Sequence, residues 1–385
     1  MNDEEGKFRY YNPVKISFGA DIYLDELQKI IGNQSAKIWL FYGRSAMRKI
    51  GAIENIKKAL SRCQIIEHGN ISPNPDIQDI KRASLNPNRS GMPLCCHWII
   101  AIGGGSVIDF GKSVAFLSRQ QHSIEEFLEK SVDNSNPGVP FIAIPTTSGT
   151  GSEVTPWATI WDNQRKKKHS LAHEQMFPKY AIIDPQLTLS LPDRITAYTA
   201  FDALSHALEA FWSKYSNPVS DLFAVKSISL VMNNFAKLIS DLQSLELRSM
   251  LAKASLYAGL AFSNTKTTAV HAVSYPMTLY YGIPHGIACS LTLREFLMFN
   301  KDYISPEKLE HLLDVLGYAD VNELKRKLDE LTKKAHLPTS LKEAGIPREG
   351  IEVILEEGFH PERVSNNPRK LTKTELKHIL EGIYE

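Results

Sequence analysis

The sequence predicts an α/β domain with a parallel sheet over residues 1–190, followed by an all-helical domain over residues 191–385. In the first half, short and nearly continuous apolar runs alternate with helix-length segments. That is the pattern of parallel strands buried on both faces. From Ile195 onward the period changes, and apolar residues recur at three and four positions, as in "ITAYTAFDALSHALEAFW" and "DLFAVKSISLVMNNFAKLI". A chain of 385 residues is also too long for one small core.

Taken in order, strands are predicted at "KIWLFYG" (37–43), "CQIIEHG" (63–69), "HWIIAIG" (97–103), "PFIAIPTT" (140–147) and "YAIIDP" (180–185). "SLNPNRSGMPLCC" (84–96) predicts a surface loop. "TPWATIWDNQRKKKHSLA" has β-rich arms around the polar tip "DNQRKKK" and predicts a hairpin added to the sheet. Pro185 and Pro192 interrupt regular structure and set the domain boundary near residue 190.

Composition bounds the function. With 44 Lys+Arg against 43 Asp+Glu there is no broad field to hold a nucleic acid or an anionic membrane, which leaves small-molecule chemistry. The N-terminus "MNDEEGKFRYYNP" is acidic and polar where a signal peptide is basic and then apolar. No apolar run approaches the roughly 18 residues of a spanning helix, so a cytoplasmic location is expected. Cys63, Cys95, Cys96 and Cys289 show no CxxC spacing and read as reduced, structural thiols.

"WIIAIGGGSVIDFGK" (98–112) reads as a strand, a triple-glycine turn and a helix beginning near Ser106. Close backbone approach and a helix N-terminus suit a pyrophosphate. A second strand-end loop, "IPTTSGTGSEVT" (144–155), offers hydroxyls to ribose, phosphate or a nicotinamide amide. Two such loops at strand carboxyl ends fit the rule that ligands bind there in open α/β sheets. After "WLFYGRSAMRKIG", Gly43, Arg44 and Ser45 offer no carboxylate to an adenosine ribose. Arg44 and Ser45 suit a 2′-phosphate, which favours NADP over NAD.

In "FDALSHALEAF" (201–211), Asp202 and His206 lie four apart and share a helix face. "VHAVSYPMTLYYGIPHGIACS" sets His271 and His285 in an apolar, helix-forming context. One carboxylate and three imidazoles suit Fe2+, Zn2+, Mn2+ or Ni2+. His122, His311 and His378 lie in polar contexts and read as surface residues.

"GGGSVIDFGK", "IPTTSGTGSEVT", "DALSHALEAF" and "HAVSYPMTLYYGIPHG", in that order and at these separations, resemble the signature segments of the iron-containing (group III) alcohol dehydrogenase family. The likeness runs from "YNPVKISFGAD" to "NNPRKLTKTEL". It implies a dehydroquinate synthase-like two-domain architecture: a Rossmann-like dinucleotide-binding domain, a helical domain and a catalytic divalent metal. Carried over, the metal ligands are Asp202, His206, His271 and His285. The pyrophosphate segment holds Gly103, Gly104, Gly105, Ser106 and Asp109. Thr146, Thr147, Thr155, Lys168 and Asn74 match cofactor-contacting positions, with Gly43 and Ser45 at the ribose. The metal is expected to be Fe2+, alternatively Zn2+ or Mn2+, and the protein a homo-oligomer, a dimer.

Two departures bear on the substrate. Where many members carry a second histidine four residues after the third ligand, this chain has Tyr275, a candidate for proton delivery or for shaping the pocket. Where a small apolar run is usual, it has "NTKTTAVH" (264–271), whose Lys266 with flanking threonines suits an anion. Lys266 and Trp157 are the candidate substrate contacts. The arrangement looks like the phosphonoacetaldehyde reductase branch, which reduces that aldehyde to 2-hydroxyethylphosphonate and would place the enzyme in phosphonate metabolism. The expected chemistry is reversible hydride transfer between a nicotinamide and a small alcohol or aldehyde. The alternatives are a dehydroquinate synthase-like sugar-phosphate cyclase, a lyase, and a non-catalytic nucleotide-binding protein.

Overall fold

A computed structural model describes residues 7–32, 34–84, 96–129, 132, 136–359 and 364–385. The chain forms two compact units. Among the described residues, one contains Pro13–Pro192 with Leu242–Ala252, and the other contains 7–12, Asp193–Asp241 and the described residues from Lys253 onward.

The first unit is built on six parallel strands: β1 (Lys15–Phe18), β2 (Lys37–Gly43), β3 (Gln64–Ile71), β4 (Trp98–Gly103), β5 (Phe141–Pro145) and β8 (Tyr180–Ile183), in the order β1-β8-β5-β4-β2-β3. All five runs read from the sequence are strands. β1 was not anticipated, because four residues at a sheet edge, none of them fully buried, leave little apolar signal. Helices α1 (Tyr23–Ile31), α2 (Ala46–Lys49), α3 (Ala52–Ala59), α4 (Ile77–Ser84), α5 (Gly105–Leu117) and α6 (Ile124–Glu129) complete the unit. One apolar layer gathers Ile38, Leu40, Ile100, Ile102 and Ile142 with α1 and α3; the other gathers Trp39, Phe41, Ile99 and Ala101 with α4 and α5. Alternate residues of each strand thus enter opposite cores, which is why the strands read as continuous apolar runs.

The predicted hairpin forms from β6 (Trp157–Asp162) and β7 (Lys167–Ala172), but as a separate two-stranded antiparallel sheet. An isolated bridge joins Trp161 to Asp76, the Trp161 N–H donates to Pro75 O at 3.0 Å, and Ala158, Ile160 and Leu171 join the core beneath α5. The expected loop at 84–96 falls on residues 85–95, outside the described residues.

The second unit is helical among its described residues: α7 (Asp193–Trp212), α8 (Pro218–Ser240), most of α9 (Leu245–Thr265), α10 (Ala269–Tyr281), α11 (His285–Asn300), α12 (Pro306–Leu316), α13 (Val321–Lys334), α14 (Gly350–Gly358) and α15 (Lys373–Gly382). α8 is long and apolar enough, by length and composition, to cross a membrane, which the sequence reading did not anticipate; it buries Ile228, Val231 and Phe235 within this unit. Two segments depart from a single cut at residue 190. Tyr10 donates to Leu260 O at 3.1 Å and Tyr11 N–H to Asn264 Oδ1 at 2.9 Å, tying the N-terminal stretch to the helical unit. Buried Arg248 donates to Leu242 O at 2.9 Å and Leu191 O at 3.0 Å, keeping the start of α9 with the sheet unit.

Candidate metal centre and dinucleotide loops

Within the helical unit, α7 supplies Asp202 and His206 one turn apart, α10 supplies His271 and the first residue of α11 is His285. Three imidazole nitrogens converge on Asp202 Oδ1: His206 Nδ1 at 3.7 Å, His271 Nε2 at 3.6 Å and His285 Nε2 at 3.8 Å. Those separations are too long for hydrogen bonds. Donors sharing a tetrahedral cation at about 2.0–2.2 Å would lie roughly 3.3–3.6 Å apart, close to what is found. Asp202 Oδ1, His206 Nδ1 and His271 Nε2 are buried and have no hydrogen-bond partner among the described residues. Unpaired buried polar atoms are costly, and three aimed at one point fit a cation.

The buried donors are strongly perturbed, in different directions. Burial alone would raise the Asp202 carboxyl, but the surrounding imidazoles, His206 foremost, hold it below the usual carboxylate range. Burial pushes His206 down to about 3, whereas His271 and His285 are raised against their own burial, by the Cys289 charge first. The His206 ring stacks on Phe262 at 4.0 Å between centroids, which fixes its plane.

Glu209, which the sequence reading did not single out, organises His271. Fully buried on α7, its Oε2 accepts from His271 Nδ1, while Oε1 accepts from the Thr268 N–H at 2.9 Å, Thr268 Oγ1 at 2.7 Å and the His271 N–H at 3.3 Å. A carboxylate on Nδ1–H leaves the Nε2 lone pair pointing at the cluster. The available signal was spacing: 202, 206 and 209 are positions i, i+4 and i+7 of one helix face. Gly286 is equally silent in the sequence. A Cβ there would meet Tyr198 O at 1.9 Å, so only glycine lets the start of α11 approach α7 and present His285.

In the sheet unit, β2 and β4 are neighbours from which the chain runs outward in opposite directions, so their carboxyl ends form the topological switch point. Gly43 ends β2, Gly103 ends β4, and Gly104 and Gly105 open α5. At Gly105 a Cβ would lie 2.6 Å from Thr150 Cγ2, so the two ligand loops pack backbone to side chain. Thr146 N–H donates to Gly103 O at 3.0 Å, and Asn74 N–H, in a left-handed residue, donates to Ser106 Oγ at 3.1 Å. Gly43, Asn74, Gly103, Gly104, Gly105, Ser106, Thr146 and Thr147 thus lie on the loops around one strand-end region.

Asp109 and Thr155 work inward. Asp109 Oδ1 accepts from Ser152 Oγ, and Oδ2 accepts from the Thr159 N–H at 2.9 Å, so this carboxylate anchors the loop and hairpin rather than presenting a free face to a pyrophosphate. Fully buried Lys112 donates to the carbonyls of Ser152 (2.7 Å), Thr155 (3.0 Å) and Trp157 (2.7 Å), clamping the segment to α5. Lys168 sits on β7 opposite Trp161, and Trp157 opens β6.

Of the substrate candidates in the helical unit, Tyr275 stacks on His285 with centroids 5.5 Å apart and planes within 3°. Lys266 is exposed and left-handed (φ 60°) at the end of α9, its N–H donating to Phe262 O at 2.8 Å. A lysine held where glycine is conformationally favoured retains strain of about 1 kcal/mol or more.

Comparison with known proteins gives the family. The family model for iron-containing alcohol dehydrogenase matches residues 13–185, and that for the Fe-containing alcohol dehydrogenase family, C-terminal, matches 196–384. The NADPH-dependent butanol dehydrogenase of Clostridium saccharobutylicum is 30% identical, the match covering 96% of this chain and 98% of that one. The NAD-dependent methanol dehydrogenase of Bacillus methanolicus is 32% identical over 74% of this chain and 77% of its own. Among solved structures, the sulfoacetaldehyde reductase of Bifidobacterium kashiwanohense in complex with NAD+ superposes with a TM-score of 0.89 at 30% identity, covering 98% of both chains. These matches do not favour the cyclase alternative. The chain belongs to the iron-containing alcohol dehydrogenase family and is an NAD(P)-linked oxidoreductase.

Proposed function

We propose that Asp202, His206, His271 and His285 hold one divalent metal, Fe2+ with Zn2+ or Mn2+ as alternatives, and that the enzyme reduces a small anionic aldehyde, phosphonoacetaldehyde foremost. The convergence of three imidazole nitrogens on the unpartnered Asp202 Oδ1 carries the metal assignment. When bound, the metal supplies Lewis acidity toward a carbonyl oxygen and the nicotinamide supplies hydride. Asp202 offsets part of the cation's charge, and Glu209 fixes the face that His271 presents. The Tyr275 phenol, stacked on His285, is the proposed proton donor or a wall of the pocket. Gly103–Gly105, Ser106, Thr146, Thr147 and Lys168 bind the dinucleotide, with Gly43 and Ser45 at the adenosine ribose and Asn74, Asp109 and Thr155 holding the loops around it. Arg44, exposed and donating to Ser72 Oγ at 3.3 Å, is placed beside a 2′-phosphate, which favours NADP.

Support for an anionic substrate comes from Lys266, strained, exposed and without an ion pair among the described residues. Similarity to a sulfoacetaldehyde reductase points to the same class. The near-balanced charge supports an enzyme with no nucleic-acid or membrane partner, and the proposal keeps it as a cytoplasmic homodimer. The test is a panel of phosphonoacetaldehyde, sulfoacetaldehyde and a neutral aldehyde of similar size, each with NADH and NADPH. The anionic aldehydes are expected to give the higher kcat/KM, and Lys266→Met to raise KM for them about tenfold while sparing the neutral one. A wide preference for the neutral aldehyde would overturn the anion site.

A further inference from the structure

We infer that the metal centre has a fifth donor, the Cys289 thiolate, which gives this chain a sulfur ligand and a preference for softer divalent cations. The inference rests on the metal reading above. Cys289 lies four residues after His285 on α11, so the two side chains share a helix face. Its Sγ is fully buried and 3.8 Å from His285 Nε2, and one donor atom each from Asp202, His271, His285 and Cys289 lies within 4.8 Å of all the others.

Metal–nitrogen bonds of about 2.0–2.1 Å and a metal–sulfur bond of about 2.3 Å set donors sharing a tetrahedral cation roughly 3.4–3.7 Å apart, so Cys289 stands close to ligand spacing. A structural buried cysteine packs as a small hydrophobe. Cys289 instead faces a cluster in which Asp202 Oδ1 and His271 Nε2 are buried and without a hydrogen-bond partner among the described residues. Asp202, His271 and His285 then form a shared triad to which His206 and Cys289 each add a donor. A thiolate in the set widens the preference for Zn2+ and Co2+ over Mn2+ beyond what the Asp-His-His-His set gives.

The experiment uses the full-length protein, stripped by chelation and reloaded anaerobically with Co2+ alone. The visible d–d band reports bound cobalt, and a near-ultraviolet sulfur-to-cobalt charge-transfer band reports thiolate ligation. The wild type is expected to show both. Cys289→Ser and Cys289→Ala are expected to keep the d–d band and lose the charge-transfer band, and Cys289→Ser to lower the Zn2+-over-Mn2+ preference by about tenfold or more. A wild-type d–d band without the charge-transfer band, or a charge-transfer band unchanged in Cys289→Ser, overturns the inference and leaves the four-ligand reading standing. No d–d band in the wild type overturns both.

Discussion

Glu209 shows what a single side chain contributes once it is buried beside a ligand. Burial alone would raise its carboxyl, but the His271 imidazole, followed by the hydrogen bonds from His271 and Thr268, holds it below the usual glutamate range. Replacing it with glutamine keeps the shape and an acceptor for Thr268 but removes the charge that orients and enriches His271. Glu209→Gln should therefore weaken metal binding by about 10–100-fold, read by competition with a chromophoric chelator. Glu209→Ala should in addition lower stability, because the Thr268 and His271 donors are left unsatisfied at about 1–3 kcal/mol each. Unchanged metal affinity in the glutamine variant would reduce Glu209 to a packing residue. Asp202 and His206 were legible because one helical turn is a fixed spacing. Glu209, three residues further along the same face, looked like any solvent-facing acid, because a periodic pattern reports which residues share a face and not what that face meets.

Elements follow the same division between what a period encodes and what only packing decides. The five long strands were readable because burial on both faces forces continuous apolar runs, and α5 because a Gly-rich turn precedes it. The hairpin is legible because its arms alternate as strands should, yet it forms its own two-stranded sheet, because its attachment depends on Asp76, Asp109 and Lys112, which are distant in sequence. α10 continues through Pro276, a residue that ordinarily stops a helix, so no local rule would have run it from Ala269 to Tyr281. The approach of α11 to α7 rests on Gly286 and is the element-scale contact on which the metal centre depends. Gly286→Ala drives a methyl into the Tyr198 carbonyl and must push α11 away, carrying His285 off Asp202. The variant should lose metal stoichiometry in elemental analysis and lose at least about 2 kcal/mol in denaturant unfolding, through overpacking at a helix contact. Full metal occupancy with wild-type stability would show that the helices can slide without cost.

At the scale of the whole molecule, stability couples to pH through a buried pair that the proposed chemistry leaves aside. Glu153 and Lys112 both lie in the sheet unit, nearly free of solvent. Burial, only partly offset by the nearby Lys112 charge, pushes the Glu153 carboxyl up from 4.5 to about 7. Burial pushes Lys112 down from 10.5 to about 8, with Asp109 and Glu153 resisting. Between about pH 4.5 and about 7 the folded state keeps the Glu153 proton that the unfolded chain has released, so stability falls as pH rises through that window. Between about pH 8 and about 10.5 the unfolded chain holds a proton that Lys112 in the folded state does not, so this contribution rises with pH. The two together place a shallow minimum between about pH 7 and about 8. Glu153→Gln, which has no proton to lose, should abolish the descending limb and, by removing a charge that holds Lys112 up, start the rising limb at lower pH. Relative to the wild type it should gain on the order of 3 kcal/mol at pH 8 and little at pH 4.5, from the size of the carboxyl shift at about 1.4 kcal/mol per pH unit. Urea unfolding of both proteins across that range measures the difference directly, and parallel curves would mean that Glu153 is ionised in the folded protein with its charge met by Lys112.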